Sequence, residues 1–151
     1  MLDLRIPPLL LWAVFAAAIA AAAHWLPALN VPFSGQRVLA VALGVAGIAV
    51  ALAGVVAFKR AKTTVNPLAP ERARQVVATG VYRFTRNPMY LGLAATLLGL
   101  AVWWASLAGL VLVAVFSGWM TRGQIRREEA ALLARFGDGY ADYMARVRRW
   151  L

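Results

Sequence analysis

Two clusters in this chain carry side chains suited to polar chemistry, and each stands at the edge of an apolar run. The first is Arg83-Phe84-Thr85-Arg86-Asn87-Pro88-Met89-Tyr90. Asn is favoured as a helix N-cap and Pro at the first helical position, so a helix is expected to start at Pro88. Its free backbone N–H groups would point back at Arg83 and Arg86. Two guanidinium groups beside a helix N-terminus form an anion site. The second cluster is Glu128-Glu129. On a helical wheel the pair straddles the apolar stripe of Ile125, Leu132 and Phe136, with Glu129 nearer its centre. A carboxylate placed there needs a partner. Arg86, Arg122 or Arg126 would serve as a structural ion pair, and a cationic ligand would serve as a functional one.

Taken together, the two clusters offer donors for a carboxylate or phosphate and acceptors for an ammonium or hydroxyls. A zwitterionic small molecule fits that description, and so do several nucleotides. No Gly-x-Gly-x-x-Gly follows a strand and no P-loop is present, so the standard soluble nucleotide folds are not in view. The chain has no cysteine and one histidine, His24. That leaves no disulfide, thiolate or Cys-ligated metal, and almost excludes a His-based metal site or a Ser-His-Asp triad. No metal is expected.

The elements that must position these residues are apolar. Of 151 residues, 62% are hydrophobic and 15% charged, with a mean hydropathy of +0.69. Uncharged runs of roughly 20 residues read as membrane helices. Spans are expected at about 6–26, 38–58, 88–103 and 106–127. The first follows Arg5 and is rich in Ala and Leu; it reads as a retained helix in preference to a signal peptide, being long for one. Gly44, Gly47 and Gly54 recur at helical spacing in the second, where small residues let helices approach closely within or between chains. Pro88 to Met120 is apolar throughout. As one helix it would be about 50 Å long against a core of roughly 30 Å, so a break is expected at Trp103-Trp104-Ala105-Ser106.

The net charge of +10 is spread in a telling way. Lys59, Arg60, Lys62, Arg72, Arg74, Arg83 and Arg86 fall in a polar loop at 59–87, and another seven basic residues follow Thr121. The connection at 27–37 carries Arg37 alone. Charge flanking apolar spans speaks for membrane orientation and anionic headgroups, and against nucleic acid. The expected arrangement is a single all-α integral membrane domain, residues 1–151. Its four transmembrane helices place the 59–87 loop and both termini on the cytoplasmic side, in a bacterial inner membrane. The last helix is expected to run to about Phe136, with Gly137 closing it and Asp138 capping a new, basic, amphipathic helix at 138–150. Tyr140, Tyr143, Met144, Val147, Trp150 and Leu151 would share its apolar face.

The run Gly80 to Gly92 resembles the signature of the isoprenylcysteine carboxyl methyltransferase and phospholipid methyltransferase superfamily. So does Arg126-Arg127-Glu128-Glu129 followed by Leu132, Phe136-Gly137, Tyr140 and Tyr143. The resemblance covers about residues 59–149 and keeps the motifs in order around an apolar hairpin. It implies an integral membrane methyltransferase with S-adenosylmethionine as cofactor and S-adenosylhomocysteine as product. The acceptor would be lipid-like or amphiphilic: an isoprenylcysteine-type carboxylate, a phospholipid amine or a thiol. The resemblance also implies a cofactor site built from Tyr82, Arg86, Asn87, Pro88, Tyr90, Leu91 and Gly92, with Glu128 and Glu129 taking the ammonium and the ribose or adenine groups. Arg83 and Arg86 would hold a carboxylate of cofactor or substrate. Many members have His where this chain has Asn87, which cannot act as a base near neutral pH, so a positioning role is expected there. Membrane lipids are the expected partners and a homodimer is open. An NADPH-dependent membrane reductase is the alternative, because sterol reductases share some C-terminal Arg, Pro-Tyr and Tyr features.

Overall fold

The computed structural model describes residues 6–61 and 75–151. Lys62, Arg72 and Arg74 of the expected basic loop lie outside the described residues. Six α-helices follow in order: α1 Pro8–Trp25, α2 Gln36–Arg60, α3 Pro88–Trp103, α4 Leu107–Met120, α5 Arg126–Phe136 and α6 Asp138–Arg146. Short 3₁₀ turns occupy Pro27–Leu29 and Gly80–Arg83, and a π turn at Thr121–Ile125 links α4 to α5. The described residues form no strand, only an isolated bridge between Asn30 and Ser106. Two helices, α1 and α2, are long and apolar enough to cross a membrane; α3 is a shorter apolar helix of 16 residues.

The tightest packing is between α2 and α3, and glycine is the reason. A Cβ on Gly47 would sit 2.7 Å from the Gly92 carbonyl oxygen, and one on Gly99 would sit 2.8 Å from that of Ala40. Backbones this close cannot accommodate a side chain at either point. The expected glycine spacing in the second span is therefore used within the chain. On the other side of α3, α1 and α4 complete a core centred on Ile19, Leu97, Ala101, Phe116 and Met120, all fully buried. Phe15 meets Phe116 edge-on at 5.5 Å, and Trp12 Nε1 donates to Thr96 Oγ1 at 2.9 Å. Helix α1 is thus an integral part of the bundle.

The hairpin turns where expected. Ala105 adopts a positive φ of 48°, and Ser106 caps α4 by accepting from the Gly109 N–H at 3.1 Å. The 27–37 connection docks on this turn: Val31 N–H donates to the Ala105 carbonyl, Gln36 Nε2 to that of Trp103, and Arg37 stacks 4.0 Å over the Trp103 ring. Arg37 is the one Lys or Arg at this end among the described residues.

Three expectations are corrected. The stretch 106–127 is not one α-helix, because α4 gives way to the π turn at Thr121, where its apolar run meets Arg122, Gly123 and Gln124. Asp138 is not a cap: it is the first residue of α6, and Gly137, at φ 52°, takes the junction without a side-chain cap. The amphipathic helix does not reach 150. It ends at Arg146, and Val147 is extended. Residues 147–151 fold back as a strap, so Val147, Trp150 and Leu151 do not continue a helical face. Tyr140 and Tyr143, expected to face the membrane, are 4% exposed and packed inward.

Candidate functional site

The site lies at the opposite end of the bundle from the 103–106 turn, where the α3 start, the π turn, α5 and the strap converge. Thr85, Arg86 and Asn87 approach α3 and are held by the strap's main chain. Arg86 N–H donates to the Arg148 carbonyl at 3.0 Å, and Asn87 Nδ2 donates to the Arg149 carbonyl at 2.9 Å. Thr85, which is buried, reaches the same carbonyl at 3.4 Å. Asn87 occupies the N-cap position of α3, yet its side chain makes no cap hydrogen bond. The expected cap is therefore corrected: the amide is spent on the strap, and the free N–H groups of the first turn stay uncapped by it.

Glu128 and Glu129 are adjacent in sequence but occupy opposite electrostatic settings. Glu129, 8% exposed, takes both nearby guanidinium groups. Arg86 Nη2 lies 3.0 Å from its Oε1, and Arg149 grips it with Nε at 3.1 Å from both oxygens and Nη2 at 2.7 Å from Oε2. Hydrogen-bonded pairing of this kind is what allows a buried carboxylate to stay charged. The bond to Glu129 also raises the Arg149 pKa. Arg86 further donates from Nη1 to the Met144 carbonyl at 3.0 Å, while its buried Nε has no partner.

Glu128 is half-buried and receives only neutral donors. Tyr90 Oη donates to Oε1 at 2.5 Å and Gln124 Nε2 at 2.6 Å. With no cation against it, burial dominates and lifts its pKa from 4.5 to about 7; the two hydrogen bonds pull it down and the Glu129 charge pushes it up. Burial likewise raises the hydroxyl pKa of Tyr82, Tyr140 and Tyr143, Tyr140 to about 12. The Tyr143 hydroxyl donates to the Tyr82 carbonyl at 2.8 Å, and Tyr82 stacks edge-on against Phe58 at 5.1 Å. The tyrosines thus tie α6 and the end of α2 to the site.

The structure therefore brings together Arg86, Asn87, Tyr90, Glu128 and Glu129 and turns other expected residues elsewhere. Arg83 is exposed, and its side chain makes no hydrogen bond or ion pair among the described residues; the second guanidinium of the cluster is Arg149. Gly92 and Pro88 pack on α2, against Gly47 and Gly54. Tyr82 contributes its ring to Phe58 and its carbonyl to Tyr143. Leu91 is half-buried, and its N–H closes the first α3 turn on the Asn87 carbonyl at 2.9 Å. Sequence reasoning missed Gln124, Thr85 and Arg149. The spacing of Gln124 to Glu128, one helical turn, was a usable signal. Arg149 gave none, since its charge read as part of a lipid-facing helix.

A model of the phospholipid methyltransferase family matches residues 36–139. Among curated proteins, an uncharacterised protein of Haemophilus influenzae is 40% identical over 63 residues, which cover 42% of this chain and 100% of that one. No solved structure matches. The family match takes in α2 to α5 with both polar clusters, bears out the resemblance carried by the two motifs, and gives the reductase alternative no support. Together with α1 and α2, it marks a membrane protein. With the matched region spanning most of its length, this chain belongs to the phospholipid methyltransferase family.

Proposed function

We propose that this protein transfers a methyl group from S-adenosylmethionine to a lipid-like or amphiphilic acceptor at the membrane surface. The observation that carries this beyond the family is the closeness in the fold of a carboxylate without a cation and a guanidinium N–H without an acceptor. Glu128 is a half-buried carboxylate with neutral partners only, at 2.5 and 2.6 Å. Arg86 Nε is a buried donor with none, next to the uncapped α3 start. A ligand carrying both an ammonium and a carboxylate satisfies both, so the residues fit the cofactor's amino-acid moiety.

In this reading Glu128 holds the positive group, with Tyr90 and Gln124 fixing the carboxylate. Arg86 Nε and the first N–H groups of α3 hold the carboxylate. When bound, the cofactor supplies a sulfonium methyl group that is already activated for in-line transfer. The chain's part is to align the acceptor and exclude water. Asn87 works by position, since its amide is committed to the strap. An amine or thiol acceptor needs a base, and Glu128, engaged with the cofactor's positive group, is not free for that task. A carboxylate acceptor arrives ionised and needs no such step. The reading is tested by calorimetry of S-adenosylhomocysteine on the purified chain and on Glu128→Gln. Transfer of a labelled methyl group into extracted lipids then identifies the acceptor. Binding by wild type and its loss in the variant are expected; NADPH binding in its place would overturn it.

A further inference from the structure

The outer side of α4 carries a second feature that methyl transfer does not use. A groove of about 780 Å³ runs along α4, the π turn and the start of α5, lined by Val111, Val115, Gly118, Trp119, Arg122 and Arg127 among others. Its upper wall is open apolar surface: Val111 is 63% and Val115 51% exposed. At its lower end, Arg122 folds back along the helix. Its Nη1 lies 3.7 Å from where a Cβ on Gly118 would be, so the guanidinium lies over the glycine and towards the apolar wall. The Trp119 ring lies beside Gly123, 3.4 Å from the corresponding Cβ position. Arg122 makes no ion pair or hydrogen bond among the described residues.

A guanidinium laid beside apolar surface at the end of a membrane helix is complementary to an anion at that level. The acidic residues of α5 do not supply it, because Glu128 is held by Tyr90 and Gln124, and Glu129 by Arg86 and Arg149. We propose that this groove binds an anionic phospholipid, with one acyl chain along Val111 and Val115 and the phosphate on Arg122. Charge complementarity selects a net-negative headgroup over a zwitterionic one. Arg122 faces the groove, and Glu128 and Glu129, the acidic residues of α5, are engaged elsewhere, so among the described residues of α4 and α5 the ammonium of a zwitterionic lipid would find no acceptor. The lipid here is a bound partner and not the methyl acceptor, so the proposal stands apart from the methyl-transfer reading.

The test reconstitutes the full chain in phosphatidylcholine vesicles containing brominated phosphatidylglycerol or brominated phosphatidylcholine. Bromine quenches nearby tryptophan, and the Trp119 contribution is the difference between wild type and Trp119→Phe. Brominated phosphatidylglycerol is expected to associate with Trp119 about fivefold more strongly than brominated phosphatidylcholine, the effect of one engaged arginine. Arg122→Gln should abolish that preference, and Arg122→Lys should keep part of it. Gly118→Leu, which retains the charges and fills the groove, should abolish it too, and it decides the matter if Arg122→Gln fails to fold. Equal quenching by the two lipids would overturn the proposal. So would a preference that survives both Arg122→Gln and Gly118→Leu, or crosslinking that places a second copy of the chain on this face.

Discussion

At the residue scale, the adjacent glutamates are expected to separate by experiment. Glu129→Gln should destabilise the fold, because it leaves Arg86 and Arg149 facing an uncharged group. With Arg149 a third exposed, the cost should be about 2–3 kcal/mol, below that of a fully buried pair, read as a lowered unfolding midpoint in detergent. Glu128→Gln should leave stability similar or raise it above neutral pH and remove ligand binding. Its pH dependence has a definite sign. The folded carboxyl titrates near 7 against 4.5 for the free group, so between these values the folded state holds a proton that the unfolded state has released. Stability therefore falls as pH rises from about 4.5 to 7 and levels off above, and Glu128→Gln should lack that slope. A cationic ligand needs the ionised form, so its affinity should rise as pH passes through 7. Sequence reading identified the pair and ranked Glu129 as the more buried. It could not divide their roles, since that depends on Arg149, twenty positions away, and on Tyr90 in another helix.

At the element scale, the close approach of α2 and α3 sets the frame from which Tyr90 reaches Glu128. Gly92→Val places a side chain against the Gly47 carbonyl and Ala51 and should cost about 1–3 kcal/mol or misfold. Gly44→Ala meets nothing within 4 Å and should be nearly neutral, which makes thermal unfolding of the two variants a matched comparison. Helix α3 was fully legible, because Asn87-Pro88 marks its start and the Trp103–Ser106 stretch its end. The π turn was not, since the apolar pattern of α4 runs into Arg122 without a helix-breaking residue beyond Gly123. The strap was hidden for a related reason. Arg146, Arg148 and Arg149 fit a basic interfacial helix by composition, while the contacts that end the helix, through the Arg148 and Arg149 carbonyls and Arg149 to Glu129, come from distant residues.

At the scale of the whole molecule, the bundle has two unlike ends. One holds Arg37 and the 103–106 turn; the other holds the site, α5, α6 and the strap. The charge difference between them predicts that the site end faces the cytoplasm. Because the chain has no cysteine, this is directly readable. In intact cells, a single cysteine at Ser34 should react with a membrane-impermeant maleimide, whereas one at Asp138 should react only after lysis. The all-helical class and the polar clusters were legible from apolar run lengths and from the two motifs. The number of crossings rests on two helices that meet the length requirement and two shorter ones that do not by themselves. The central claim is that this end of the bundle is a ligand site built on Glu128 and Arg86. Calorimetry of S-adenosylhomocysteine against the purified full chain tests it most directly. The account predicts saturable one-site binding that Glu128→Gln abolishes while the variant stays folded. Absence of binding to wild type, or undiminished binding to the folded variant, would contradict it.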